Sequence, residues 1–138
     1  GEGAMLALNS FPHVLCGHIV DPADAFMFGQ INDGNAIALP FAKGFGWGAE
    51  VNLEYIFERL FQTPFGGGYP KERVVPEQRN KKILDSVKEI THTPMTEIIK
   101  KIDRDFLLET IDRDTFKKYF FENAKDQEII SLIKEILA

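Results

Sequence analysis

The segment HVLCGHIV at residues 13–20, followed by AFMFGQI at 25–31 and NAIALPF at 35–41, decides the fold. Short apolar runs rich in β-branched and aromatic residues are typical of strands. The residues between the runs, DPAD at 21–24 and NDG at 32–34, are typical of turns, and Asp-Gly between two apolar runs is a strong hairpin signal. These patterns predict a short antiparallel β-meander in the N-terminal half of the chain.

Charge is divided unevenly, and the second half has a different pattern. Residues 1–50 contain one basic and five acidic side chains, whereas residues 51–138 contain 15 basic and 16 acidic ones. In the second half, apolar residues recur every three or four positions, which is the spacing of amphipathic helices. The predicted helices are 50–61, 76–90, 94–102, 105–111, 114–122 and 126–137.

Strands followed by helices predict the α+β class. We expect a single α+β domain over residues 1–138, because this is a common size for one domain. Its strand-rich part with one packing helix spans residues 1–62. A connector rich in Gly and Pro spans 63–76, and the helical part spans 77–138.

The composition excludes several classes of protein. Hydrophobic residues make up 44% of the chain and charged residues 27%, which is typical of a packed globular protein. The net charge of −5 argues against a nucleic-acid binder and against docking on anionic membranes. The single cysteine excludes an internal disulfide, and no segment approaches the length of a membrane span. We therefore predict a soluble cytoplasmic protein with no nucleic-acid or membrane partner.

The segment that contains Cys16 and His18 is the first candidate site. On a strand, these two side chains point to the same face, because alternate residues share a face. They form a candidate catalytic pair, with Cys16 as nucleophile and His18 as base, and His92 is an alternative base. With Asp21 they form a candidate metal site; zinc usually needs three or four ligands, and Asp24 or His92 is an alternative to Asp21. The alternative is a buried cysteine that packs as a small apolar residue beside a hydrogen-bonded histidine.

Two glycine-rich segments are candidate ligand-binding sites. In FGGGYPK at 65–71, backbone N–H groups near Gly67 and the charge of Lys71 are suited to an anion, but no Walker A ending is present. In GFGWG at 44–48, Phe45 and Trp47 are placed to close over a ligand. The alternatives are a flexible connector for the first segment and packing in the core or an interface for the second.

Two classes of function remain open on the sequence alone. The first is a small intracellular ligand-binding or protein-interaction domain that self-associates, because a short sheet leaves edges that need cover. Its expected partners are a second copy or another protein, with a small molecule as ligand. The second is an enzyme of the hydrolase or transferase type, metal-dependent or not, with its site around Cys16, His18 and Asp21. No cofactor is assigned.

Overall fold

A computed structural model describes residues 1–40, 44 and 46–138. This part of the chain forms two compact units, Gly1–His92 and Thr93–Ala138. Both are built mainly from helices, so the prediction of an α+β fold with an antiparallel meander is wrong. The prediction that residues 1–138 make one domain, divided at 62 and 76, stays a prediction.

The first unit alternates helices with two very short strands. Its elements are α1 (Glu2–Asn9), β1 (Cys16–His18), α2 (Pro22–Met27), a π-helical turn (Phe28–Asn32), β2 (Ala36–Ala38), α3 (Ala49–Phe61), a 3-10 turn (Lys71–Arg73) and α4 (Val74–Thr91). The predicted helices 50–61 and 76–90 are confirmed as α3 and α4. Of the three predicted strands, the first and third contain β1 and β2, and the second is helical.

The two strands are parallel, which contradicts the prediction of an antiparallel meander. Cys16 pairs with Ala36 and His18 pairs with Ala38. Parallel strands cannot be joined by a tight turn and need a crossover, which is usually helical. The segment 21–32 supplies this crossover. Asp21 accepts a hydrogen bond from the backbone nitrogen of Asp24 at 2.9 Å and Pro22 occupies the first turn, so a predicted turn is the start of α2.

The Asp33-Gly34 pair ends the crossover and does not form a hairpin. Asp33 has a φ of 49°, the left-handed conformation that closes many helices. Next to it, the Asn35 side chain accepts a hydrogen bond from the Leu15 nitrogen at 2.8 Å and donates one to the His13 oxygen at 2.7 Å. This amide holds the start of β2 against the segment that enters β1.

The core of the first unit lies between the sheet and the helices that follow each strand. It contains Ile19, Ala25, Ile56 and Leu60, and Phe28, Ile37 and Leu39 pack against it. Ile19 and Ile56 are fully buried. Full burial of one such side chain contributes about 1.5–3 kcal/mol. The spacing of Ile56 and Leu60 explains why α3 was predictable, since these residues form its buried stripe.

The second unit is a cluster of short helices. They are α5 (Met95–Lys101), α6 (Arg104–Ile111), α7 (Asp114–Asn123) and α8 (Gln127–Leu137). Their bounds confirm the four helices predicted in this region to within one residue at each end. Ile99, Ile111 and Ile133 form the buried centre. Asp103 and Asp126 begin α6 and α8 by accepting hydrogen bonds from backbone N–H groups of the first turn.

Replacement of Gly34 by alanine tests the packing that closes the crossover. A Cβ atom at residue 34 meets the Phe28 ring at 2.0 Å and the Leu15 oxygen at 2.9 Å, so we expect Gly34→Ala to lower the free energy of unfolding by about 1–3 kcal/mol. Gly3→Ala is the control, because α1 leaves open space around Gly3 and alanine favours helices. Urea denaturation followed by circular dichroism measures both. Equal stability of the two variants contradicts this account.

Candidate functional site

The carboxyl ends of β1 and β2 are the first place to seek a site, because open parallel sheets bind ligands there. His18 is the last residue of β1, and Leu39 follows β2. The start of α1 lies at the same end, since the Gly1 nitrogen donates a hydrogen bond to the Leu39 oxygen at 2.6 Å. The start of α1 and the imidazole of His18 therefore lie at the same end of the sheet.

Cys16 and His18 share one face of β1, as their spacing predicts. Gly17 lies between them on the opposite face, where a Cβ atom would meet the Phe28 ring at 2.7 Å. Helix α1 packs against both strands. The Asn9 side chain donates to the Cys16 oxygen at 2.8 Å and accepts from the Cys16 nitrogen at 2.9 Å. This pair of hydrogen bonds fixes the end of α1 beside β1.

Cys16 is buried, with 5% of its surface exposed. Burial raises the pKa of its thiol above the usual value, because the thiolate loses the solvation of water. Its sulfur lies 3.7 Å from the Gly17 oxygen, within reach of a weak S–H hydrogen bond. These properties are those of a small packed side chain, and the thiol form is favoured at neutral pH.

His18 is partly buried, and one of its ring nitrogens has an unusual environment. Its Nε2 atom is inaccessible to solvent and has no hydrogen-bond partner within residues 1–40, 44 and 46–138. Most buried polar atoms in proteins are paired, and an unpaired one needs an explanation such as a reactive role or a bound molecule. The structure thus distinguishes His18, which has an unpaired ring nitrogen, from Cys16, which packs as a small buried side chain.

Asp21 stands three residues beyond His18, and its carboxylate is used as the N-cap of α2. Within the described residues, no group of three or more His, Cys, Asp and Glu side chains is placed to hold a metal ion. The metal site of Cys16, His18 and Asp21 stays a prediction.

Gly67 and Lys71 lie at a different place in the first unit. The loop around Gly67 is bound to the crossover, since Gly66 and Gly68 donate hydrogen bonds to the oxygens of Gly29 and Gln30. This part of the crossover leads into the amino end of β2, whereas His18 is at the carboxyl end of β1. The loop and His18 are therefore associated with opposite ends of the parallel sheet. A cavity of about 610 Å³ lies here, with Gly67 and Lys71 in its wall beside Phe26. Ligand binding by Gly67 and Lys71 stays a prediction.

Of the two aromatic residues in the second glycine-rich segment, the structure describes one. Trp47 is fully exposed just before α3, so it does not pack in the core of its own chain. Phe45 lies outside the described residues. Binding of a ligand by Phe45 and Trp47 stays a prediction.

Sequence reasoning missed α1 and the polar residues that support the site. The run Ala4–Leu8 consists of strong helix formers and is the signal that would have found α1. Asn9 carries no local signal, because its side chain binds the backbone of Cys16, whereas the i,i+4 spacing of Arg73 and Glu77 is a signal that sequence reasoning could have used. Glu77 accepts hydrogen bonds from the Tyr69 nitrogen at 3.0 Å and from Arg73 Nε at 3.3 Å.

The described residues contain no helix that is both long and apolar enough to cross a membrane.

Comparison with known proteins connects this fold with sugar isomerases. A solved structure of a 4-deoxy-L-threo-5-hexosulose-uronate ketol-isomerase, complexed with a tartrate, is 58% identical over 99% of this chain, with a TM-score of 0.95. A ribose-5-phosphate isomerase from Vibrio parahaemolyticus is 42% identical over 99% of the chain, also with a TM-score of 0.95. The chain spans 64% of the length of each.

A family described as ribose-5-phosphate isomerase matches residues 90–136, which is a minority of the chain. Among curated protein sequences, none matches. The similarity to isomerases supports the enzyme hypothesis better than the hypothesis of a non-catalytic binding domain. The similar proteins are isomerases, whereas the sequence analysis expected a hydrolase or transferase. The chain has the fold of the matching part of these sugar isomerases, and 58% identity with a ketol-isomerase is the strongest functional indication that it carries.

Proposed function

We propose that this chain belongs to a sugar ketol-isomerase, an enzyme that moves a carbonyl group between adjacent carbons of a sugar or sugar acid. The observation that carries the proposal is the 58% identity, over nearly the whole chain, to a uronate ketol-isomerase. The ribose-5-phosphate isomerase is more distant, at 42%. A sugar acid is therefore favoured over a sugar phosphate as the substrate.

The chemistry requires two kinds of group. A base removes the proton from the carbon next to the carbonyl, which leaves an enediol or enediolate, and the same proton or one from water is then delivered to the neighbouring carbon. A hydrogen-bond donor stabilises the negative charge that develops on oxygen during this step. No net oxidation occurs, so the reaction needs no external oxidant or reductant.

Of the predicted catalytic pair, His18 is better suited to proton transfer. Its Nε2 atom has no hydrogen-bond partner in the described residues, and an imidazole nitrogen can accept a proton and return it. Cys16 is less suited as the base, because burial raises the pKa of its thiol and so lowers the thiolate fraction. We propose that Cys16 packs beneath the site and that His18 acts in it.

Residence in the cytoplasm and association with a partner stay predictions for this protein.

The isomerase proposal predicts exchange of a substrate proton with solvent. Incubation of the purified protein in D₂O with 4-deoxy-L-threo-5-hexosulose uronate is expected to place deuterium on the carbon next to the carbonyl as product forms. Ribose 5-phosphate, tested in parallel, is expected to react more slowly. Proton NMR measures conversion and exchange together. Absence of both with either compound contradicts the proposal.

Replacement of His18 tests its role as the base. We expect His18→Asn to lower kcat about 100-fold or more, since a positioned acid–base group contributes factors of that size. His13→Asn is the matched control. His13 is exposed and has a φ of 61°, which asparagine tolerates, so its replacement is expected to leave kcat unchanged. Equal activity of both variants refutes the assignment.

The environment of Cys16 predicts a slow reaction with alkylating agents. At pH 8 we expect iodoacetamide to modify the folded protein at least about tenfold more slowly than the urea-unfolded chain, because burial limits access and suppresses the thiolate. The rate should rise as the pH is raised beyond the usual thiol pKa. Mass spectrometry measures the extent of modification. Fast labelling of the folded protein would support Cys16 as a nucleophile after all.

A further inference from the structure

The second unit contains a small cavity between three of its helices. It has a volume of about 250 Å³ and lies between α5, the start of α6 and the last turns of α8. Most of its wall is apolar and consists of Ile99, Ile102, Leu107, Leu132 and Ile136. Ile99 is a buried core residue, and Leu107, Leu132 and Ile136 pack against the same core. The cavity therefore opens onto the apolar centre of the unit.

Three charged side chains complete the wall, and one of them is already neutralised. Lys100 Nζ lies 3.4 Å from the Glu97 carboxylate and 3.8 Å from the Glu128 carboxylate. Arg104 and Glu135 also line the cavity, and neither forms an ion pair within the part of the chain that the structure describes. One cation and one anion of the wall are thus available to a ligand.

The end of α8 holds Arg104 in place without neutralising its charge. Arg104 Nη2 donates a hydrogen bond to the Ile136 oxygen at 3.2 Å, which uses one N–H donor of the guanidinium group. The other donors of this planar group match the geometry of a carboxylate, which a guanidinium binds with two parallel hydrogen bonds. The cation is therefore positioned to bind a carboxylate at the edge of the cavity.

The position of Glu135 is not explained by the stability of its own helix. Glu135 lies in the last turn of α8, where the negative end of the helix dipole disfavours an anion. Its neighbour Lys134 has the sign of charge that is favourable there. A cationic group of a ligand beside Glu135 would offset this unfavourable interaction.

We propose that this cavity binds an aliphatic α-amino acid as its zwitterion. Arg104 binds the carboxylate, Glu135 binds the ammonium group, and the aliphatic side chain is buried against Leu107 and Leu132. The volume lies below the range of about 300–1,000 Å³ that is typical of sites for drug-sized ligands, which is consistent with an occupant as small as leucine. The inference does not depend on the proposed isomerase activity, because all the residues that it uses belong to the second unit.

The two opposite charges distinguish a zwitterion from simpler apolar ligands. A branched-chain carboxylate without an amino group leaves Glu135 without a cation and brings a second anion close to it. An amine without a carboxylate leaves Arg104 without an anion. Such unpaired or like charges lower affinity and so determine specificity. A small polar amino acid has both charges but little apolar surface to bury.

Titration of the full chain with L-leucine, followed by two-dimensional NMR of the backbone amides, tests the proposal. We expect saturable shifts centred on the residues of the cavity, with a Kd of about 0.1–1 mM, since a ligand with few atoms has limited affinity. 4-Methylpentanoate lacks the amino group of leucine, and 3-methylbutylamine lacks the carboxylate. These compounds and L-serine are each expected to bind at least about tenfold more weakly.

Replacement of the two charges tests their separate roles. Arg104→Gln and Glu135→Gln are each expected to raise the Kd for L-leucine about tenfold, because each leaves one charge of the ligand unpaired. Glu135→Gln is also expected to strengthen the binding of 4-methylpentanoate, since it removes a repulsive charge. Arg113→Gln and Glu122→Gln are the matched controls, because they change exposed charges of the same unit outside the cavity. Both controls are expected to leave the Kd unchanged.

Three results would overturn the proposal. The first is the absence of shifts at about 10 mM L-leucine, a concentration well above the expected Kd. The second is equal affinity for L-leucine and 4-methylpentanoate, which would exclude a role for Glu135. The third is a pair of cavity variants that bind L-leucine as well as the controls do. The comparison of ligands uses the unaltered protein, so it decides the question even where a variant is destabilised.

Discussion

The arrangement of the first unit depends on the side-chain amide of Asn9. Its Nδ2 atom donates a hydrogen bond to the Cys16 oxygen, and its Oδ1 atom accepts one from the Cys16 nitrogen. This side chain therefore pairs the backbone of β1 as a neighbouring strand would. The backbone oxygen of Asn9 in turn accepts a hydrogen bond from Lys88 Nζ at 3.2 Å and lies 3.0 Å from His92 Nε2. One residue thus links α1, β1 and α4, and a three-residue strand acquires a fixed position.

This link explains which parts of the fold were predictable. Helices α3 and α8 could be predicted from the sequence because their apolar residues recur at helical spacing. In α3, Ile56 and Leu60 form the buried stripe. The helix in segment 25–31 could not be predicted in this way, because its apolar residues are too dense to show a period. Its role as a crossover follows only from the pairing of Cys16 with Ala36, which are distant in sequence. The sequence also predicted the common face of Cys16 and His18, since strand alternation is local. The unpaired Nε2 of His18 depends on the whole surroundings and has no local signal.

The glycine-rich loop illustrates how polar burial replaces apolar packing in this molecule. Gln30 Nε2 donates a hydrogen bond to the Pro64 oxygen at 3.1 Å, and Gln78 Nε2 donates one to the Gly66 oxygen. The Glu77 carboxylate accepts a hydrogen bond from the Tyr69 backbone nitrogen. Each buried amide or carboxylate is paired with a backbone group, which is the condition for burying it at low cost. Because α4 uses its polar side for this task, its apolar side is left for other contacts. The polar contacts that hold the loop and the exposure of Val75, Ile83, Val87 and Ile90 are two results of one helix orientation.

The full exposure of Trp47 has a spectroscopic consequence. It is the single tryptophan of the chain, and its indole already stands in water in the folded state. Its emission in the native protein should therefore resemble that of the unfolded chain, and intrinsic fluorescence is a poor reporter of unfolding here. Because the indole is exposed, its fluorescence can report the binding of anything that covers Trp47. Any shift of its emission to shorter wavelength signals that a ligand, a partner or another segment has excluded water from this one position.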